Sequence, residues 1–352
     1  MIRALIVGVV LAAVASVAAA QTRTSESAAR PAAKKAVTAA KPAARPAVRS
    51  TGKAAKRTSA QRRSVVRRPV RPSEGQIAGL HRVDDPLDLR SSVALVVNQD
   101  TDEVLFEKNP QAVLPIASIT KLMTALVTVD ANLPLDEELV VTRYDRTIDR
   151  VRSWLTPGVK LTRGQALHLA LMSSENHAAQ LLGRTYPGGL SAFVDAMNAK
   201  AQMLGMHDSR FADPTGLSSD NRSSPGDLVR LVKAAYEHDV IRDYSVSTGT
   251  TVQVGKRLVN YHSTNRLTAS PDWEIGLQKT GFISAAGRCL VMSTMVDGQR
   301  VVMVLLDSVG KYSRIGDAQR IREWLAKRAA KPAEQQASVP VATADLVGPP
   351  TM

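Results

Sequence analysis

The chain has 352 residues, 44% of them hydrophobic and only 4% aromatic, enough for a sizeable and mostly aliphatic core. It carries 46 Lys and Arg against 32 Asp and Glu, a net charge of +14, and a single cysteine, Cys289, which excludes an internal disulfide framework and a cysteine zinc site. Beyond residue 20 no apolar run approaches the roughly 20 residues needed to span a bilayer, so a polytopic membrane protein is excluded as well.

Residues 1–20 place Arg3 before an apolar stretch that ends in Ala18-Ala19-Ala20 and Gln21. That pattern predicts a signal peptide cleaved near Gln21, the alternative being an uncleaved anchor. Residues 21–73 hold 15 Lys and Arg against one acid, Glu26, which leaves residues 74–352 at a net charge of −1. The basic stretch is rich in Ala, Pro, Ser and Thr and lacks aromatic residues, so a disordered linker over 21–75 is expected. On an exported chain it meets no nucleic acid. Anionic wall polymers, anionic lipid head groups or plain solvation remain.

A folded body is expected over 76–328. Ser92–Gln99 and Glu103–Glu107 read as a hairpin around the turn Asp100-Thr101-Asp102. Pro115 then precedes Ile119, Leu122, Met123, Leu126 and Val129 at helical spacing, a helix beginning near Ser118. Helices follow over Thr162–Met172, Asn176–Arg184, Leu190–Leu204 and Pro225–Tyr236. After them the period changes to strands at Thr251–Val254, Leu258–Tyr261, Leu277–Thr280, Cys289–Val296 and Val301–Leu306. Asp297-Gly298 between the last two is a hairpin turn. A helix over Arg314–Lys327 closes the body, and 329–352 reads as a disordered tail. Strands at both ends with helices between imply one mixed sheet closed by early and late strands.

The chain has no G-x-S-x-G elbow, no H-E-x-x-H and no phosphate-binding G-x-x-x-x-G-K-[ST] loop, and its six His are scattered. No metal or cofactor is indicated. Ser118 and Lys121 stand one helical turn apart, so a buried Lys could act as base for the Ser hydroxyl. S-x-x-K recurs at Ser50–Lys53 and Ser308–Lys311, and only Ser118 opens an apolar helix. Ser174-Glu175-Asn176 lies between two helices, and its copies at Ser219–Asn221 and Ser263–Asn265 show that such a triplet is most often a cap or turn. Lys279-Thr280-Gly281 sits on a strand before Phe282. Cys289 fits a small buried hydrophobe, and His177 fits a supporting or surface position.

The three boxes in this order resemble the S-x-x-K, S-x-N and K-T-G set of penicillin-binding proteins and serine β-lactamases. The surrounding text, LPIASITKLMTALV, LMSSENHAAQLLG, FADPTGLS, YHSTNRL and LQKTGFISAAGRCLVM, is similar to low-molecular-mass D-alanyl-D-alanine peptidases, nearest their penicillin-binding endopeptidase type. The likeness covers about 90–328. The chain stops soon after its last helix, with no room expected for an added β-domain or anchor.

That resemblance implies an α+β fold of the β-lactamase/DD-peptidase type: an antiparallel sheet flanked by helices with a mostly helical inserted region. It implies that Ser118 attacks a D-Ala carbonyl, Lys121 takes its proton and Ser174 relays a proton to the leaving amine. Asn176 would hold the substrate amide and Lys121, Lys279 and Thr280 the substrate carboxylate, and Gly281 would admit the substrate backbone. The N–H groups of Ser118 and Phe282 would form the oxyanion hole. Peptidoglycan peptides and β-lactams are the implied ligands. Open alternatives are a D-alanyl-D-alanine carboxypeptidase, a β-lactamase and a catalytically idle wall-binding protein.

Overall fold

The computed structural model describes residues 71–147 and 153–329. The expected leader, nearly all of the basic segment and nearly all of the C-terminal tail lie outside these residues.

A short helix, α1 (Glu74–Ile77), is closed by a capping box in which Ser73 and Gln76 exchange side-chain and backbone hydrogen bonds. β1 (Ser91–Asn98) and β2 (Val104–Lys108) form the expected hairpin, with the Asn98 side chain accepting from the Asp100 and Thr101 amides in its turn. After the two-residue β3 (Leu114–Pro115), the chain makes a 3-10 turn over Ala117–Ile119 and enters α2 (Thr120–Asp130). β4 (Glu138–Val140) and β5 (Lys160–Thr162) pair with each other. The helical region continues with α3 (Arg163–Met172), α4 (Asn176–Arg184) and α5 (Gly189–Met203). β6 (Arg222–Ser223) then pairs with β3, and α6 (Pro225–Tyr236) and α7 (Asp239–Val246) follow. β7 (Gly249–Val254) and β8 (Arg257–His262) make a hairpin of their own. β9 (Ile275–Ile283), β10 (Gly287–Val296), β11 (Gln299–Ser308) and α8 (Ser313–Ala329) complete the body.

The central sheet has the order β2-β1-β11-β10-β9. It is antiparallel throughout, so the mixed sheet read from the strand pattern is corrected, and the antiparallel sheet implied by the resemblance is the one present. β7 and β8 stay outside it. Both faces are buried. Val93, Leu95, Val291, Val302 and Val304 face the helical region, whereas Ala94, Val96, Leu290, Met303 and Leu305 pack with Ala318, Ile321 and Leu325 of α8. Double burial explains why these strands read as near-continuous apolar runs with little alternation.

α2 is the axis of the helical side. It is buried from Thr120 to Thr128 and packs against α3, α4, α5 and α6. Two of its three buried threonines are satisfied by hydrogen bonds: Thr124 Oγ1 donates to Pro214 O at 2.7 Å and Thr128 Oγ1 to Thr124 O at 2.7 Å, whereas Thr120 Oγ1 finds no partner among the described residues. The expected helix start near Ser118 is therefore two residues early. Ser118 lies on the 3-10 turn that feeds the helix.

Candidate active site

Ser118 is held on a constrained turn. Ala117 before it has a positive φ of 48°, and Gly216 and Gly281 crowd the turn from two sides. A Cβ on Gly216 would stand 1.9 Å from Ala117 O, and one on Gly281 would stand 2.9 Å from Ile116 O and 3.2 Å from Ser118 N. The bare α-carbon of Gly281 lets β9 lie against the Ser118 turn.

Lys121, fully buried, sends its Nζ to Ser118 Oγ at 2.9 Å, Asn176 Oδ1 at 2.6 Å and Thr215 O at 2.7 Å. A neutral amine has two N–H groups and one lone pair. In that form Asn176 and Thr215 would accept the two N–H groups, leaving the lone pair for the Ser118 hydroxyl. Ser118 is half-buried, so the hydroxyl stays reachable.

The second box joins α3 to α4. Ser174 adopts a positive φ of 61°, and the helix cap expected of such a triplet falls to Glu175, whose side chain accepts from the His177 amide. Ser174 is thus free to accept from Lys279 Nζ at 2.8 Å, while Asn176, at the first turn of α4, reaches Lys121. His177 supports the loop through Nδ1, 2.9 Å from Leu155 O.

Lys279 lies on β9 with no exposure, and its Nζ also donates to Thr280 O at 2.9 Å. Burial, then the Lys121 and Arg314 charges, hold its pKa well below the ordinary lysine value. Thr280 Oγ1 is 2.6 Å from Thr264 Oγ1 on the chain after β8. Phe282 belongs to the outermost strand of the sheet, and its ring is exposed beneath the Arg288 guanidinium at 4.4 Å.

Ser118, Lys121, Ser174, Asn176, Lys279, Thr280, Gly281 and Phe282 are thereby brought to one site. The competing copies are engaged elsewhere. Ser308 is buried and donates to Ser313 Oγ, Asn221 binds Asp213, Asn265 caps a 3-10 turn, and Ser50–Lys53 lies outside the described residues. Cys289 is buried on β10 and its thiol is pushed up to about 12 by burial, which closes it to thiolate chemistry.

Two groups of site residues were not singled out in the sequence. Arg314, in the first turn of α8, is only 8% exposed, and its Nε and Nη1 find no hydrogen-bond partner among the described residues. A buried guanidinium with spare donors, beside Lys279 and the Thr264–Thr280 pair, is built to receive an anion. The second group is the D-P-T-G turn. Asp213 Oδ1 accepts from Thr215 N, Thr215 Oγ1 and Gly216 N, and Oδ2 from Ser218 N and Asn221 Nδ2. Asp213 thus shapes the loop whose Thr215 carbonyl binds Lys121. A turn signature was visible there, without a sign of what the turn touches.

Burial alone would raise the Asp213 carboxyl, but hydrogen bonds from Thr215, Ser218 and Gly216 outweigh it and hold the group below its ordinary value. The folded pKa being depressed, the stabilisation is fully present above the unfolded value of about 3.9 and is lost as pH falls through the lower folded value. Asp213→Asn should cost about 2 kcal/mol at neutral pH, because an amide turns a donor towards N–H groups. Urea midpoints measured from pH 7 down to pH 3 check this: the variant should be less stable at pH 7 and converge on the parent in acid. Parallel curves would count against it.

The sequence model of the D-alanyl-D-alanine carboxypeptidase family matches residues 81–310. The chain belongs to this family. A D-alanyl-D-alanine endopeptidase of Pseudomonas aeruginosa is 46% identical over 241 residues, spanning 68% of this chain and 78% of that protein. The D-alanyl-D-alanine endopeptidase of Escherichia coli is 42% identical over the same shares. Among solved structures, penicillin-binding protein D2 of Listeria monocytogenes in its cefotaxime-bound form superposes with a TM-score of 0.61 at 28% identity, over 68% of this chain and 98% of that one. The fold is that of the DD-peptidases, and the boxes described above are set in it.

Proposed function

We propose that the protein is a serine D,D-peptidase that cuts D-Ala–diamino acid cross-links in peptidoglycan through an acyl-enzyme on Ser118. The observation that carries this is the Lys121 amine, 2.9 Å from Ser118 Oγ with acceptors already placed for its two N–H groups.

Ser118 passes its proton to Lys121 as Oγ bonds to the D-Ala carbonyl carbon. The oxyanion meets the N–H groups of Ser118 and Phe282, each worth roughly 3–4 kcal/mol in comparable sites. The C–N bond then breaks: Ser174 hands its proton to the leaving amine and is reprotonated by Lys121, which is neutral again. Water, deprotonated by Lys121, hydrolyses the ester and restores Ser118. The carboxylate beside the scissile nitrogen is received by Lys279, Thr280 and Arg314. Its negative charge favours the charged form of Lys279. Asn176 orients Lys121 and holds the substrate amide. β-Lactams acylate Ser118 by the same route, a reading supported by the cefotaxime-bound relative.

A terminal D-Ala presents the same carbonyl and carboxylate as a cross-link, so these residues serve a carboxypeptidase equally well. The likeness to two endopeptidases over most of their length favours cross-link cleavage. Purified protein should convert cross-linked muropeptide dimers to monomers at least several-fold faster than it releases D-alanine from pentapeptide monomers, read by mass analysis. D-alanine release with dimers left intact would establish a carboxypeptidase. Rapid turnover of penicillin would establish a β-lactamase, and no labelling at all an idle wall-binding protein.

None of the helices among the described residues is long and apolar enough to cross a membrane. We place the catalytic body outside the cytoplasm, exported by residues 1–20, with the +14 segment 21–73 tethering it to anionic wall polymers or lipid head groups.

A further inference from the structure

Next to the carboxylate-receiving residues lies a second pocket of about 260 Å³, lined by Thr264, Arg266, Arg288, Lys311, Tyr312 and Arg314. It is continuous with the site in two places. Arg314 lines it, and Thr264 touches Thr280 at 2.6 Å. Its charge is of one sign. Among the described residues no carboxylate forms an ion pair with Arg266, Arg288, Lys311 or Arg314. Instead, Arg266 and Lys311 both stack on the Tyr312 ring, at 4.6 and 5.2 Å, and Arg288 covers Phe282. The Tyr312 phenol is held below its ordinary value by a hydrogen bond with Lys311 and by the Arg266, Lys311 and Arg288 charges. Cations gathered without counter-ions repel one another, and aromatic stacking returns only part of that cost. The spare donors of the buried Arg314 mark the inner end of the same pocket as an anion position.

We infer that Arg266, Arg288 and Lys311 form a carboxylate subsite for the departing half of a cross-linked substrate and give the enzyme its preference for cross-links over terminal D-Ala. This rests on the endopeptidase reading above. The leaving group of a carboxypeptidase reaction is free D-alanine, with one carboxylate, which Lys279, Thr280 and Arg314 satisfy. The leaving group of cross-link cleavage is a whole stem peptide. It carries further free carboxylates, its own C-terminus among them, and its path away from the scissile nitrogen starts at Arg314. A chain leaving there runs over Arg266, Arg288 and Lys311. Arg266 and Lys311 are exposed and Arg288 half-buried, so they add affinity without touching the reacting atoms.

The test compares the full-length protein with the triple variant Arg266→Gln/Arg288→Gln/Lys311→Gln on three probes. These are a tetrapeptide–tetrapeptide muropeptide dimer, a pentapeptide monomer, and labelled penicillin. Exposed charge pairs are individually modest, so the three together should raise KM for the dimer roughly tenfold with kcat little changed. Pentapeptide trimming and penicillin acylation should stay within about twofold, because neither ligand extends to these residues. Converting the C-terminal carboxylate of the departing half to an amide should raise KM for the parent protein and leave the triple variant unaffected. Added salt should weaken dimer binding by the parent more than by the variant. Equal losses on dimer, pentapeptide and penicillin would overturn the subsite, and so would an unchanged KM for the dimer or an amide effect of the same size in both proteins. A parent protein that leaves dimers intact while releasing D-alanine overturns the endopeptidase reading itself, before any variant is compared.

Discussion

Ser118→Ala is expected to lose covalent penicillin labelling entirely and to lower peptide hydrolysis by roughly 10⁴–10⁶-fold, while the protein still folds. The chemistry needs an oxygen that can form an ester, and alanine offers none. The fold does not need that oxygen. Ser118 lies on a 3-10 turn that has no side-chain cap, and its hydroxyl meets Lys121, which keeps Asn176 Oδ1 and Thr215 O when the hydroxyl is gone. Replacing a half-buried hydroxyl of this kind should change stability by less than about 1 kcal/mol. Ser308→Ala is the informative control. It shares the S-x-x-K spacing, but its hydroxyl donates to Ser313 Oγ at 2.7 Å and lies 3.3 Å from Asp317 Oδ2 in the frame that seats α8. It should cost stability and leave labelling intact, and Ser50→Ala should change neither. Gel detection of labelled penicillin with circular dichroism separates the cases. Undiminished labelling of the Ser118→Ala protein would remove Ser118 from the mechanism.

What could be read in the residues is mostly what is local. Asp297-Gly298 signalled a hairpin because its conformation demands those residues: both adopt positive φ, 50° and 76°. The three boxes were legible for the same reason, since each is a short string whose spacing sets its own geometry. What was not legible is what depends on distant partners. β1 pairs with β11, so Leu95 faces Val304, and no period in either strand announces the other. The helix after Ser118 was read as a stripe of apolar residues because Thr120, Lys121, Thr124 and Thr128 interrupt the pattern. All four are buried, so the polar positions do not mark an exposed face. α7 was missed because it is short and buries only Ile241 and Ser245 fully.

The site divides along the same line. Arg314 is one of many arginines in the sequence, and its importance appears only when α8 docks and leaves its donors unpaired beside Lys279. Asp213 and Gly216 stood in the sequence only inside the string FADPTGLS, which the structure folds as a turn. That the turn presses on the backbone of Ala117 and Ser118 is a fact about residues about a hundred positions apart.

That pressure gives the second large effect. Gly216→Ala should cost roughly 2–5 kcal/mol of stability and lower acylation by about 10²-fold or more. Two penalties combine. Gly216 has a φ of +79°, which an alanine adopts with strain, and the added Cβ would fall 1.9 Å from Ala117 O, 2.4 Å from Ala117 C and 2.9 Å from Ser118 N. All three are backbone atoms, so no side chain can swing aside. Either the 213–216 loop retreats and takes the Thr215 carbonyl off Lys121, or the turn shifts and carries Ser118 and its N–H out of line. Gly255→Ala isolates the first penalty. Gly255 also has a positive φ, +59°, but nothing lies within 4 Å of its missing Cβ. It should cost only the conformational strain, about 1–2 kcal/mol, and leave acylation unchanged. Urea unfolding and penicillin acylation rates of the two variants measure the difference. Equal behaviour would mean that the 213–216 loop does not clamp the nucleophile turn. A Gly216→Ala protein of lower stability but full acylation rate would mean that the clamp holds the fold and not the attacking oxygen.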